Sequence, residues 1–338
     1  MRGARLIGVG CLTLSCLMFV GMVVSYEQTS NATGRQVAQS GNGVSDGGTS
    51  ARAERTAAIS TALSAAEWPE LVPGLDRLDD NIATPPCATT YGSAPLPEAA
   101  EIWRSCVQGD RAAQHTVLVV GDSLASSYVP GVLAAVEPQG WNVVALARSG
   151  CPAVKIEVLR VVSLRPYPQC TQHQDLLGRR IAELKPDLIV VTNSSSPVRG
   201  LLASGATGDE ALDQWGRAVK ATVKEFARTA PVIVLQGPPR GKDLNACATR
   251  FSTPADCVST PPSAYSKVDK VEKKAVSSVD DDDVRYVRTQ DWFCSKDDKC
   301  PAFLGTTPTF LDGGHLTADA SRSLAPLLTE ALAKSVEP

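Results

Sequence analysis

The chain has 338 residues, 43% hydrophobic, 20% charged and 5% aromatic, which is enough apolar content for a core that folds unaided. Its 33 basic and 36 acidic residues leave a formal charge of −3, and a mildly acidic chain argues against a partner held through a nucleic-acid backbone. No Gly-x-x-x-x-Gly-Lys-[Ser/Thr] loop and no Gly-x-Gly-x-x-Gly after a strand is present, so the common nucleotide signatures are absent as well.

From Leu6 to Val24 nineteen residues run without a charge, behind Arg2 and Arg5. At about 1.5 Å per helical residue such a run spans a hydrocarbon core, and the arginines put its start on the cytoplasmic side. Residues 1–25 are therefore read as a membrane anchor, with a signal peptide cleaved near Val23-Val24-Ser25 as the alternative. Cys11 and Cys16 lie within the apolar run, in the wrong context for lipid attachment. On either reading the rest of the chain is exported.

Residues 26–66 are rich in Ser, Gly, Thr, Ala, Asn and Gln, and predict a flexible linker that buries too little surface to offset its ordering entropy. Asn31-Ala32-Thr33 matches a glycosylation acceptor, a triplet common by chance. Residues 67–114 form a Pro-rich extension with few periodic segments. Beyond it, short apolar runs at 116–120, 142–147, 187–191, 232–235 and 284–288 alternate with helical patterns near 125–136, 172–184, 209–229, 265–278 and 317–334. That alternation implies βαβ units in residues 115–338: an α/β, flavodoxin-like, three-layer α/β/α sandwich on a five-stranded parallel sheet. In such sheets sites form at the carboxyl ends of the strands.

The exported part holds eight cysteines, an even count that reads as disulfides outside the cytoplasm. They fall along the chain as neighbours, which suggests Cys87–Cys106, Cys151–Cys170, Cys247–Cys257 and Cys294–Cys300. Close Cys-x-x-Cys or histidine spacing of the kind zinc needs is missing, and His115, His173 and His315 are scattered. The run Asp280–Asp283 lacks the spaced ligands of a calcium loop and reads as a solvated turn. No cofactor is implied. Trp103, Trp141, Trp215 and Trp292 are single aromatics of core or rim, and His115 and His173 read as packing or surface residues.

The first strand runs directly into Gly121-Asp122-Ser123-Leu124, which places a serine hydroxyl where the next helix starts, beside backbone N–H groups. A plain helix cap at Asp122 or Ser123 is the competing reading. Near the other end, Asp312-Gly313-Gly314-His315-Leu316-Thr317 precedes the last helix. A serine needs a base, and a histidine serves near neutral pH when a carboxylate fixes its tautomer. Two glycines between Asp312 and His315 allow the turn that brings carboxylate to ring.

With these two blocks the chain resembles the SGNH/GDSL hydrolase superfamily over about residues 115–335. More closely, it resembles the extracytoplasmic SGNH domain associated with acyltransferase-3 proteins. Ser149-Gly150-Cys151-Pro152, the Cys294 to Cys300 pair and the Asp312-to-Thr317 ending carry that likeness. The resemblance implies Ser123 as nucleophile, His315 as base and Asp312 as orienting acid. It also implies an oxyanion hole from the Ser123 and Gly150 backbones and the Asn193 side chain. The block around Asn193 departs from the usual Gly-x-Asn-Asp at Val191 and Ser194, and a turn asparagine is its other reading.

The function implied is a serine esterase or O-acyltransferase acting on an acylated carbohydrate or envelope glycan. A separate multi-span membrane protein would supply acyl groups, and the N-terminal segment would contact the lipid bilayer. The alternatives are a stand-alone esterase of small acyl esters and a non-catalytic envelope-binding module on the same fold.

Overall fold

A computed structural model describes residues 50–89 and 95–336; the expected anchor at residues 1–25 lies outside the described residues. All of them fall within one compact unit, Gly48–Pro338. The helices are α1 (Ala51–Leu63), α2 (Ala99–Ser105), α3 (Ser123–Val136), α4 (Pro168–Leu184), α5 (Gly208–Phe226), α6 (Leu244–Cys247), α7 (Ser263–Ser277), α8 (Ala318–Arg322) and α9 (Ala325–Val336). The strands are β1 (Val107–Gln108), β2 (His115–Gly121), β3 (Trp141–Ala147), β4 (Leu188–Thr192), β5 (Val232–Leu235), β6 (Val284–Val287), β7 (Phe303–Leu304) and β8 (Thr307–Pro308). No helix among the described residues is long and apolar enough to cross a membrane.

The central sheet has the order β1-β3-β2-β4-β5-β6, and every pairing is parallel except β1 with β3. β2 is buried on both faces because helices cover each side, which is why it reads as an uninterrupted valine and leucine run. Its alternate side chains serve two cores. Leu118 and Val120 pack with Leu177 and Ile181 of α4, Trp215 and Val219 of α5, and Val268 of α7. Val117 and Val119 pack with Val129 and Val132 of α3 and Leu328 and Leu332 of α9. The three-layer α/β/α sandwich is thus the fold.

Three expectations need correction. The sheet has six strands rather than five, because the Pro-rich extension contributes β1 to its edge and Ile102 and Cys106 to the core. A two-residue strand carries no readable period. The extension therefore belongs to the same compact unit as the sheet.

Within the expected linker, residues 51–63 form α1, capped by the Ser50 hydroxyl, which accepts from the Ala53 N–H. The helix docks through buried Ile59, Ala62 and Arg55, whose Nε donates to the Trp292 carbonyl at 2.6 Å and Nη1 to Ser323 Oγ at 3.1 Å. An Ala-rich window is a good helix former, and a buried arginine does the anchoring that large apolar residues usually do. The remainder of that segment up to residue 49 lies outside the described residues.

Finally, the expected helix at 317–334 is two helices. Pro326 has no N–H to continue the first, and it sits in the first turn of the second, where none is needed.

Disulfides join Cys87–Cys106, Cys151–Cys170, Cys247–Cys257 and Cys294–Cys300. Each joins cysteines 6 to 19 positions apart in sequence. Cys151–Cys170 links the turn after β3 to the start of α4, on the rim where the functional residues gather.

Candidate active site

β2 ends at Gly121, whose φ of +149° suits glycine, and a Cβ there would stand 1.8 Å from the Thr192 carbonyl oxygen of β4. The absence of a side chain lets the two strands close up just before the serine. Asp122 then caps α3: its Oδ1 accepts the Leu124 N–H at 3.0 Å and its Oδ2 accepts the Ser194 N–H at 2.8 Å. This buried carboxylate staples the turn after β2 to the turn after β4. Burial pushes its pKa up, opposed by the Ser194 and Leu124 hydrogen bonds. The capping role that sequence left open between two residues therefore falls to Asp122, and Ser123 is free to project as the first residue of α3.

Ser123 Oγ donates to His315 Nε2 at 2.8 Å, and His315 Nδ1 donates to Asp312 Oδ2 at 2.8 Å. The other oxygen of Asp312 accepts the backbone N–H groups of Gly314 and His315, both at 2.9 Å. Gly313 makes this turn possible with φ +73°, packed so that a Cβ would lie 2.8 Å from the Gly241 carbonyl. Downstream, Thr317 caps α8 and donates to the Pro308 carbonyl at 2.7 Å. The loop that carries the histidine is thus braced on both sides.

The hydrogen bond from His315 holds the Asp312 carboxyl well below the usual carboxylate range, against the effect of partial burial. The same bond raises the His315 pKa above its ordinary 6.5, again opposed by burial. The ring is thereby a stronger base toward Ser123 than an isolated histidine.

Ser123, Gly150, Asn193, Asp312 and His315 all line one cavity of about 210 Å³ at the carboxyl edge of the sheet. Gly150 turns the chain with φ +65° after β3. Asn193 follows β4, and its Oδ1 accepts the Ala153 N–H at 2.8 Å, which leaves the amide NH₂ as its donor edge. The five residues that the motifs singled out, 192 positions apart at the widest, are therefore brought to a single rim.

Other singled-out residues lie elsewhere. His115 bonds Asp187 at 3.0 Å on the surface and stacks on Trp141. His173 is buried on α4 and makes no hydrogen bond among the described residues. Asp280 and Asp281 line a surface groove near the start of β6. Among the described residues no group of three or more His, Cys, Asp or Glu is placed to hold a metal.

The far wall of the cavity escaped the sequence reading. Tyr265 and Glu272 of α7 line it, with Arg199 from the turn after β4 and Arg240 from the loop after β5. Tyr265 donates its hydroxyl to the Gly237 carbonyl at 2.8 Å, and Glu272 accepts the Trp215 indole N–H at 2.9 Å. Burial raises the Glu272 carboxyl to about 8. A signal did exist for it: residues 265, 268, 272, 275 and 276 are the buried stripe of α7, and Glu272 occupies that helical spacing amid lysines.

The chain is similar to several solved structures. The periplasmic domain of a lipopolysaccharide acetyltransferase from Salmonella ser. Paratyphi A superposes with a TM-score of 0.51 at 17% identity, covering 77% of this chain and 93% of that one. A carbohydrate esterase family 2 enzyme of Myceliophthora fergusii gives 0.42 at 15% identity, with 68% of each chain covered. An acetyl-xylooligosaccharide esterase from a Geobacillus gives 0.37 at 14%, covering 67% of this chain and 95% of that one. No curated protein sequence matches the chain. A family model described as "SGNH domain (fused to AT3 domains)" matches residues 86–330, and the chain belongs to that family.

Proposed function

We propose that this protein is an extracytoplasmic serine esterase or O-acyltransferase that passes an acyl group through Ser123. The observation that carries the reading is the unbroken chain from Ser123 Oγ to His315 to Asp312, with both links at 2.8 Å, at the mouth of a cavity. As Ser123 Oγ attacks an acyl carbonyl, its proton passes to His315 Nε2. The carbonyl π electrons move to oxygen, and the oxyanion is met by the N–H groups of Ser123 and Gly150 and the Asn193 NH₂. Collapse expels the alcohol, which takes the proton from His315, and the acyl group remains on Ser123. A second hydroxyl, from water or from a sugar, then gives His315 its proton and attacks the ester; collapse breaks the bond from the acyl carbon to Ser123 Oγ, and His315 returns the proton to the serine. Asp312 keeps its charge throughout and steadies the imidazolium.

Whether water or a sugar arrives second decides hydrolysis or transfer. Membership in a family fused to AT3 domains supports transfer to or from an acylated carbohydrate or envelope glycan, with a separate multi-span membrane protein as acyl source. The disulfides and the apolar N-terminal run support an extracytoplasmic site tethered to the bilayer. The test is hydrolysis of 4-nitrophenyl acetate by the full-length chain beside Ser123→Ala and His315→Ala. Turnover lost in both supports the mechanism, and a sugar acceptor that diverts acetyl from water identifies a transferase. Turnover unchanged in Ser123→Ala refutes it.

A further inference from the structure

The cavity beside Ser123 is lined by four carboxyl groups, and each is already engaged. Asp312 holds His315, and Asp122 accepts two backbone N–H groups. Asp269 accepts the Tyr286 hydroxyl at 2.8 Å and lies 3.7 Å from Arg288 Nε. Glu272 takes the Trp215 indole N–H and is largely uncharged at neutral pH.

The two arginines in the same cavity are not matched in this way. Among the described residues, neither Arg199 nor Arg240 has a carboxylate within ion-pair distance. Arg199 Nη2 donates to Ser196 Oγ at 3.1 Å, its one side-chain hydrogen bond among the described residues. The two cations arise from different loops yet share one field: partial burial and then the charge of Arg240 lower the Arg199 pKa. The charge of Arg240 also reaches His315. Like charges turned into one cleft without counter-ions repel, and a bridging oxyanion that takes their forked N–H donors relieves them.

We infer that Arg199 and Arg240 form an anion subsite of the cleft, one that recognises a carboxylate or phosphate on the acylated glycan or on its acceptor. Assigning the anion to the substrate rests on the acyl-transfer reading; the subsite itself does not, because binding is measured without turnover. The substrate class is then an acidic glycan, with a uronic acid or a sugar phosphate as the two sources of the charge.

The experiment titrates the full-length Ser123→Ala chain with trigalacturonic acid and its neutral methyl ester, and with glucose 6-phosphate and glucose. The expected result is a preference of about tenfold or more for a charged probe over its neutral partner, lost on adding Arg199→Gln and Arg240→Gln. The trigalacturonate and phosphate arms tell carboxylate from phosphate. Arg228→Gln, on a groove at the opposite edge of the sheet, keeps the preference. Equal binding of charged and neutral probes, no binding of any probe, or a preference that survives both arginine changes overturns the subsite. Failure of the acyl-transfer reading shows separately, as 4-nitrophenyl acetate turnover that persists in Ser123→Ala.

Discussion

The helices that carry the serine and follow the histidine meet at one glycine. Gly131 of α3 donates its N–H to Ser321 Oγ of α8 at 3.0 Å. A Cβ on Gly131 would stand 2.3 Å from the Ser321 carbonyl oxygen and 3.0 Å from Leu328 Cδ1. Because a backbone carbonyl cannot swing aside, Gly131→Ala must separate α3 from α8 by about 1 Å. The hydrogen bond of 2.8 Å joins Ser123, the first residue of α3, to His315, three residues ahead of α8, and opened by that much it is no longer a hydrogen bond.

A misplacement of that size costs on the order of 100-fold in rate, or about 2.7 kcal/mol of barrier. The stability cost is smaller: overpacking of about 1–3 kcal/mol, offset by about 1 kcal/mol from the helix preference of alanine. The assay is kcat/KM for 4-nitrophenyl acetate beside thermal unfolding. Gly178→Ala in α4 is the control, because its Cβ would meet Glu225 Oε1 at 2.6 Å, the end of a flexible side chain that can move. Gly131→Ala should lose about 100-fold while still folded, and Gly178→Ala should stay within about twofold of the parent. Full activity in Gly131→Ala, or a loss that only tracks its unfolded fraction, refutes the claim that this contact sets the serine–histidine distance.

Asp312→Asn should lower kcat by about 10³–10⁴ and move the acid limb of the pH–rate profile. The base must be unprotonated, and Asp312 raises the His315 pKa above 6.5, so the limb lies above that value in the parent and shifts to lower pH in the variant. Glu272→Gln keeps an acceptor for Trp215 but removes a carboxyl whose folded pKa, about 8, exceeds the ordinary 4.5. The proton is lost more readily on unfolding, so the parent is progressively penalised as pH rises from 4.5 to 8. Urea unfolding should show the variant gaining on the parent across that window, by a few kcal/mol at its top, with no relative gain below it. Arg55→Ala leaves the Trp292 carbonyl without its buried donor and should cost about 2–4 kcal/mol, read as faster proteolysis between residues 51 and 66.

Much of the fold was legible because its signals are local. The run Thr116–Val120 announces a strand covered on both faces, and Gly121-Asp122-Ser123 a strand-to-helix turn. Asp312 and His315 were legible as a turn, and their meeting with Ser123 follows from both lying at the carboxyl edge of one parallel sheet. What escaped depends on contacts far apart in sequence. α1 is held by Arg55 against residues more than 200 positions away, which no composition window registers. β1 is two residues long and exists because β3 offers an edge. Arg199 and Arg240 carry no such local pattern and become cavity residues only when the loops after β4 and β5 converge with α7.

The most direct test of the account is to expose the full-length chain to a fluorophosphonate and locate the adduct by peptide mass spectrometry. The account predicts a single phosphonyl group on Ser123, formed far more slowly in His315→Ala and absent in Ser123→Ala. An adduct on another residue, or labelling of Ser123 at an unchanged rate without His315, would contradict it.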